Sequence, residues 1–176
     1  MEPGEPKEQL RTYSVEFDKS HFGEQEFPQH WIDEEIGRGN KRFLLPGALN
    51  KWVAKICNEN NINLKDEHKP DFFYYLMEIA GNAMENVGKG KIEITISDNG
   101  FSAVVTDEGK GFEGDINNNI KKGHGLDQII SYSTDFLIES NGKKFEKKEG
   151  KEELIESLDT DVSEGTRITF SKIFKK

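Results

Sequence analysis

Near the start of the chain, hydrophobic residues alternate with polar ones in the manner of a half-buried strand. Tyr13, Val15 and Phe17 share one side of this alternation, and the pattern predicts a short strand. Arg42-Phe43-Leu44-Leu45 predicts a second short strand, because Pro46-Gly47 follows directly and such residues end regular elements. The more regular part of the chain begins with this second predicted strand.

Two longer stretches repeat their apolar positions every three to four residues, the period of a helix with one buried face. The first stripe runs from Leu49 to Cys57. The second helix is predicted to begin near Pro70, which suits a first helical turn, and to end at Gly88. Its predicted buried stripe consists of Phe72, Leu76, Ile79, Ala83 and Val87.

The second half of the chain shows mostly the alternation of strands. Ile92, Ile94 and Ile96 alternate with polar residues, the turn Asp98-Asn99-Gly100 follows, and Phe101–Thr106 returns as the second arm of a hairpin. The pattern then predicts a short helix from Leu126 to about Tyr132, a strand over Phe136–Glu139, a turn at Asn141-Gly142, a solvated hairpin or loop over Lys143–Glu153 and a last strand over Arg167–Phe174. These elements predict an α+β two-layer sandwich, with a mixed, mostly antiparallel sheet covered by helices on one face.

The length and charge of the chain narrow the choice of function. A chain of 176 residues suits one compact domain, and we expect a partly disordered N-terminal arm over residues 1–40 and a single domain over residues 41–176. Acids outnumber bases 33 to 24, for a net charge of -9, which argues against unaided binding to nucleic acid or to anionic membranes. With no long apolar run and no signal-peptide pattern, the expected location is the cytoplasm.

Glu78 and Asn82 are four residues apart in the second predicted helix, so both side chains project from one face, away from the apolar stripe. An amide oxygen can bind Mg²⁺ beside phosphate oxygens, because Mg²⁺ keeps several waters and takes few protein ligands. A carboxylate one turn away can orient or deprotonate an attacking hydroxyl or water. The alternative interpretation is two polar residues on a solvated helix face.

Asp107 ends a predicted strand and begins a loop that contains Gly109 and Gly111 before Phe112. A carboxylate in that place can accept a hydrogen bond from an exocyclic amine such as that of adenine. The glycines let the backbone approach a flat ring without a Cβ in the way. An ordinary exit from a strand into a loop has the same composition, so the motif alone leaves both interpretations open.

Two further motifs follow. Gly123-His124-Gly125-Leu126 begins the short helix, and a helix N-terminus preceded by glycines presents free N–H groups to phosphate, which His124 can also contact. Gly165-Thr166 begins the last strand, where a small hydroxyl can complete the hydrogen bonds around a purine base. A turn or a helix entry is the structural alternative for each. The four motifs together predict a pocket for ATP and Mg²⁺.

In this order, the motifs resemble those of the Bergerat-fold ATPases, the superfamily that includes gyrase, Hsp90, histidine kinases and MutL. The resemblance covers roughly residues 41–174 and implies that fold and its ATP site. Within the superfamily, the chain is most similar to the small serine/threonine kinases that act as bacterial anti-sigma factors, which share a short lid like residues 113–122. It departs from them after Asn82-Ala83, where Met84-Glu85-Asn86-Val87 replaces their usual His-Gly or similar pair.

The resemblance assigns roles to individual residues. It implies that Glu78 is the catalytic base, that Asn82 binds the magnesium ion and that Asp107 recognises adenine. The other implied nucleotide contacts are Gly109, Gly111, Gly123, His124, Gly125, Leu126 and Thr166. The implied partner is a regulatory protein, such as an anti-sigma-factor antagonist or a sigma factor, and a homodimer stays open.

Two alternatives use the same ATP site differently. The catalytic half of a histidine kinase needs a phospho-accepting histidine, and the candidate ahead of the domain, His30, lacks the usual acidic neighbour. A non-catalytic module would instead use ATP or ADP to order residues 113–122 and so expose or hide a partner surface. Glu78 favours catalysis over this second alternative, because a pure binder has no need of that carboxylate.

Overall fold

The fold is known from a computed structural model, which describes residues 10–18, 44–62, 69–112, 116, 126–147 and 154–174. Within these ranges, the chain forms three helices of seven residues or more and seven strands. In chain order they are β1 (Arg11–Asp18), α1 (Leu44–Glu59), α2 (Lys69–Asn86), β2 (Lys89–Ile96), β3 (Gly100–Asp107), α3 (Leu126–Tyr132), β4 (Asp135–Ser140), β5 (Lys143–Lys147), β6 (Leu154–Ser157) and β7 (Thr166–Ile173).

The strands form one open sheet in the order β1-β2-β3-β7-β4-β5-β6. Every pairing among the described strands is antiparallel, rather than mixed as the sequence pattern predicts. The α+β class is confirmed. The sheet begins at residue 11, because β1 pairs along its whole length with β2 and forms an edge of the sheet.

Alternate residues of each strand bury one face of the sheet, here called the inner face, against the helices. Phe72 of α2 is fully buried, and its ring lies 5.4 Å from that of Phe101 in β3 and 5.0 Å from that of Phe170 in β7. Helix α1 packs on α2. Lys147 and Lys172, on the inner face, donate hydrogen bonds of 2.6 Å to carbonyls of α3. All three helices therefore cover the same face.

The strand predicted at Arg42-Phe43-Leu44-Leu45 is wrong where the structure describes it, because α1 begins at Leu44. Pro46 does not end a strand here but lies in the first turn of the helix. The first N–H groups of a helix have no acceptor within it, so proline costs no hydrogen bond at that position. Arg42 and Phe43 lie outside the described residues.

The other predicted elements are largely confirmed. Helix α2 carries the predicted buried stripe, of which only Val87 stays half-exposed, and Gly88 follows the helix with a left-handed φ of 81°. The segment Lys143–Glu153, predicted as a solvated hairpin or loop, contributes β5 to the sheet, with Phe145 buried opposite Ile138. Its residues 148–153 lie outside the described part of the chain.

Candidate functional site

A cavity of about 770 Å³ lies between α2, the start of α3 and the paired ends of β3 and β7. It brings together every predicted site residue that the structure describes, namely Glu78, Asn82, Asp107, Gly109, Gly111, Leu126 and Thr166. Gly123, His124 and Gly125 lie outside the described residues. Described residues from four motifs that are far apart in sequence thus meet around one space.

The sheet register places two polar side chains in the cavity. Asp107 is the last residue of β3, Thr166 is the first of β7, and the two are direct cross-strand partners. They continue the inner face that Val105 and its partner Ile168 line one pair earlier, since side chains alternate along a strand. A carboxyl and a hydroxyl therefore occupy inward positions where hydrophobic side chains would otherwise continue the core.

Asp107 has few partners for a carboxyl in this position. Its Oδ1 accepts a hydrogen bond of 2.9 Å from the N–H of Gly109, and among the described residues Oδ2 accepts none. Burial raises the pKa of this carboxyl, and the Gly109 N–H opposes the rise only in part. A half-buried carboxylate with an acceptor atom to spare is suited to a ligand that donates a proton.

The hydroxyl of Thr166 is in a similar condition. The residue is only 5% exposed, yet its side chain has no hydrogen-bond partner in the part of the chain that the structure describes. A buried polar group without a partner costs free energy, so its presence at the cavity calls for a ligand or a water. Asp107 and Thr166 together offer an acceptor and a group that can donate or accept.

Helix α2 forms one wall of the cavity. Tyr74, Glu78, Asn82 and Asn86 recur every four residues along its exposed side, and all four line the cavity. Glu78 and Asn82 share one helix face as predicted, and neither side chain has a hydrogen bond or ion pair with any described residue. Both side chains are therefore available to a ligand.

The rest of the wall is apolar. Side chains of Ile79 and Ala83 from α2, Val105 from β3, Ile168 from β7 and Ile129 from α3 line the cavity, with Phe112 and Leu126 at its rim. A flat, largely apolar ring can bury its faces against such a surface, while Asp107 and Thr166 fix its orientation through hydrogen bonds. The cavity thus combines an apolar body with few polar groups.

Glycines near the site are required by close contacts. A Cβ on Gly109 would lie 2.7 Å from Val87 and 2.8 Å from the Asp107 carboxylate, so any other residue there would force one of these side chains to shift. Gly165 has a φ of 75°, and a Cβ there would lie 2.2 Å from the carbonyl oxygen of Asp107. Both glycines keep the backbone close to Asp107.

The structure adds two residues that the sequence pattern does not single out for the site. Ser140, the last residue of β4, and Asn141, in the following turn, make hydrogen bonds to the loop between Asp107 and Phe112. The Asn141-Gly142 pair is predicted as a turn, but nothing in the sequence indicates which segment the asparagine side chain reaches. Only the β4–β7 and β3–β7 pairings bring that turn beside the loop.

The chemistry of the described residues sets limits on a metal site. No group of three or more His, Cys, Asp or Glu side chains that could hold a metal ion occurs within the described ranges. A bound Mg²⁺ would therefore take most of its ligands from phosphate oxygens and water, which is its usual preference. The amide oxygen of Asn82, with the carboxylate of Glu78 one turn away, fits such a site.

Comparison of the chain with models of protein families, with curated proteins and with solved structures finds no match. Among the described helices, none has the length and apolar composition that crossing a membrane requires. The cavity and the sequence motifs that line it are therefore the basis for inferring a function.

Proposed function

We propose that the protein binds ATP and Mg²⁺ in this cavity, in the manner of the Bergerat-fold ATPases, and that it is a serine/threonine protein kinase. The observation that carries the proposal is the floor of the cavity. There, the free acceptor atom of Asp107 and the hydroxyl of Thr166 face an apolar space large enough for a nucleotide. Such an arrangement supports recognition of a purine amine, because a carboxylate oxygen can accept its hydrogen bond.

The order of groups along α2 supports a triphosphate bound along the helix. The Asp107 loop lies beside Val87, at the end of α2, and Asn82 and Glu78 follow in the direction of the helix N-terminus. Val87 and Glu78 are separated by about 13 Å of helix, at 1.5 Å for each residue. A nucleoside triphosphate can span that distance, with its base at Asp107 and its terminal phosphate near Glu78.

Each residue then has a chemical role. Asn82 would hold Mg²⁺ through its amide oxygen, and the ion would neutralise charge on the phosphates. Glu78 accepts the proton of a serine or threonine hydroxyl on a partner protein. The hydroxyl oxygen forms a bond to the γ-phosphorus while the bond between that phosphorus and the β–γ bridging oxygen breaks, which leaves ADP and a phosphoprotein. Gly123, His124 and Gly125 are proposed to contact the phosphates.

The proposed partner is a regulatory protein, either an anti-sigma-factor antagonist that receives the phosphate or a sigma factor that the domain sequesters. Phosphorylation would change which of these partners the domain holds. Neither nucleic acid nor a membrane is proposed as a partner, and a homodimer stays a prediction.

Calorimetric titration with ATP and Mg²⁺ tests the binding site. The wild type is expected to bind, and Asp107→Asn is expected to lose about 100-fold or more in affinity. The asparagine amide places an N–H donor opposite the N–H donor of the purine amine, so the hydrogen bond is lost. Asp98→Asn, in the exposed β2–β3 turn, is the matched control and should bind as the wild type does. Equal affinity for ATP in all three proteins would contradict the proposed site.

Glu78→Gln tests the proposed chemistry separately from binding. The amide keeps the size of the side chain but cannot accept a proton, so phosphoryl transfer should fall by about 10²–10⁴-fold while the affinity for ATP stays within about twofold. The measurement is transfer of labelled phosphate from ATP to candidate partner proteins. Glu59→Gln, on the surface of α1, is the control. Undiminished transfer by Glu78→Gln would exclude Glu78 as the base.

A further inference from the structure

Ser140 connects two segments that border the cavity. Its hydroxyl accepts a hydrogen bond of 2.8 Å from the N–H of Phe112 and donates one of 2.9 Å to the carbonyl of Gly165. The residue is 1% exposed, so water does not compete for these bonds. The hydroxyl thus ties the loop that follows Asp107 to the residue that precedes Thr166.

Asn141 reaches the same loop from the adjacent turn. Its φ of 52° and the φ of 75° at Gly142 are those of a tight Asn-Gly hairpin turn. In this conformation its Nδ2 donates to the carbonyls of Lys110, at 2.9 Å, and Phe112, at 3.1 Å. One side-chain amide thus holds two carbonyls on either side of Gly111.

Gly111 shows how closely the loop and the turn are packed. Its φ is 74°, and a Cβ on it would lie 2.4 Å from the Ser140 hydroxyl and 2.6 Å from Oδ1 of Asn141. No side chain can enter between the loop and the turn. We call Ser140, Asn141 and Gly111, with the hydrogen bonds that join them to the loop, the hairpin clamp.

We propose that Ser140 and Asn141 are positioning residues of the nucleotide site, and that the hairpin clamp sets the affinity for the base. The inference rests on the proposed function. By fixing residues 110–112, the clamp fixes the preceding Gly109, whose N–H holds the carboxylate of Asp107. By holding the carbonyl of Gly165, it also fixes the start of β7 at Thr166. Both base-recognising groups therefore depend on one hairpin, whose Ser140 and Asn141 are not among the residues that line the cavity.

The variant Asn141→Gly removes the side-chain hydrogen bonds of the clamp without changing the turn. Glycine keeps the left-handed conformation but removes the amide, so the hairpin can still form. Asn61→Gly is its matched control, because Asn61 also has a φ of 52° and lies at the end of α1, away from the cavity. We expect Asn141→Gly to bind both ATP and ADP about tenfold more weakly than Asn61→Gly does. The ratio of the two affinities should stay unchanged, because the clamp acts on the base and not on the phosphates.

A second pair of variants tests the hydroxyl. Ser140→Ala removes the clamp's link to Phe112 and Gly165, whereas Ser133→Ala removes an equally buried hydroxyl that donates to the carbonyl of Ile129 in α3. Ser140→Ala loses two hydrogen bonds of a buried hydroxyl and Ser133→Ala loses one, so both should lose some stability. Only Ser140→Ala should weaken nucleotide binding and speed hydrogen exchange at the Phe112 amide.

The outcomes separate the inference from the proposed function. If the wild type binds ATP and both members of each pair bind equally well, the clamp is overturned and the proposed function stands. A fall in ATP affinity that exceeds the fall in ADP affinity also overturns the clamp, because it indicates a phosphate effect. If the wild type binds neither nucleotide, the proposed function fails and the inference fails with it.

Discussion

Where β4 pairs with β7, polar side chains on the two faces of the sheet have different surroundings. Glu139 and Arg167 face outwards as cross-strand partners, while their chain neighbours Ser140 and Thr166 face inwards as the next pair. On the outer face, Glu139 accepts hydrogen bonds of 2.5 Å from Arg167 Nε and 2.8 Å from the Thr160 hydroxyl. Arg167 also donates to Asp161, at 2.6 Å. Every side chain in this outer cluster therefore has at least one hydrogen-bond partner within it.

As a result, the pKa values of the carboxyls on the two faces are shifted in opposite directions. The Arg167 guanidinium lowers the pKa of Glu139, although Glu139 is buried. Burial raises the pKa of Asp107, which has one N–H as its described partner. The first carboxylate is stabilised by folding, whereas the second is kept charged at a cost to stability. The contrast indicates that Glu139 serves the fold and Asp107 serves a ligand.

The largest effect is expected from breaking the outer cluster. Arg167→Met leaves Glu139 buried without its cation, so the free energy of unfolding should fall by about 2–3 kcal/mol at pH 7. The loss is not larger because Arg167 is itself partly exposed. Chemical denaturation measures the loss. Lys91→Met, which removes the exposed pair with Glu93, should change stability by less than about 0.5 kcal/mol.

The pH dependence of stability provides a second test of the Arg167→Met variant. Because the pKa of Glu139 is lowered in the folded state, the stability that Glu139 contributes is present above its ordinary pKa of about 4.5 and is lost as the pH falls through the lowered value. Arg167→Met should therefore lose less stability than the wild type between neutral and acidic pH. Parallel curves for the two proteins would contradict a structural role for this pair.

A smaller effect is expected from Gly111, which packs against Ser140 and Asn141. Gly111→Ala and Gly142→Ala both place a side chain at a φ near 75°, but a Cβ meets nothing within 4 Å at Gly142. Gly142→Ala should lose about 1 kcal/mol from strain, and Gly111→Ala about 2 kcal/mol in all, because it also displaces Ser140 and Asn141. Thermal unfolding compares the two variants, and equal losses would show that the hairpin clamp is loose.

The smallest effect is expected at the cavity floor. Because the pKa of Asp107 is raised in the folded state, its protonated carboxyl contributes stability that is fully present below the ordinary pKa near 3.8. That contribution is lost as the pH rises through the raised pKa. Asp107→Asn should therefore be more stable than the wild type at pH 7, by about 0.5–1 kcal/mol, and the gain should shrink in acid. Lower stability of Asp107→Asn at neutral pH would indicate that Asp107 is a structural residue like Glu139.

Local patterns predict most of the elements because the burial that they encode is repeated along each element. The period of α2 and the alternation of β2 and β3 follow directly from one buried face. The pattern at residues 42–45 is too short to distinguish a strand from the start of a helix, and Pro46 is compatible with either. At four residues, β6 is also too short to stand out among charged neighbours.

The groups that surround the site depend on contacts that local patterns do not contain. Glu78, Asn82 and Asp107 are found from spacing, because one helix face or one strand end is enough to place each of them. Ser140, Asn141 and the Glu139–Arg167 pair depend on the register of β4 against β7, which joins residues far apart in sequence. A serine at a strand end and an Asn-Gly turn have many uses, so their role follows only from the structure.

The most direct measurement compares ATP with inosine triphosphate, which has an oxygen in place of the purine amine. If Asp107 accepts a hydrogen bond from that amine, the wild type should bind ATP at least about tenfold more tightly than inosine triphosphate. Asp107→Asn, which can offer a donor to the oxygen, should lose or reverse this preference. Equal affinities for the two nucleotides in the wild type, or the same preference in both proteins, would contradict the account.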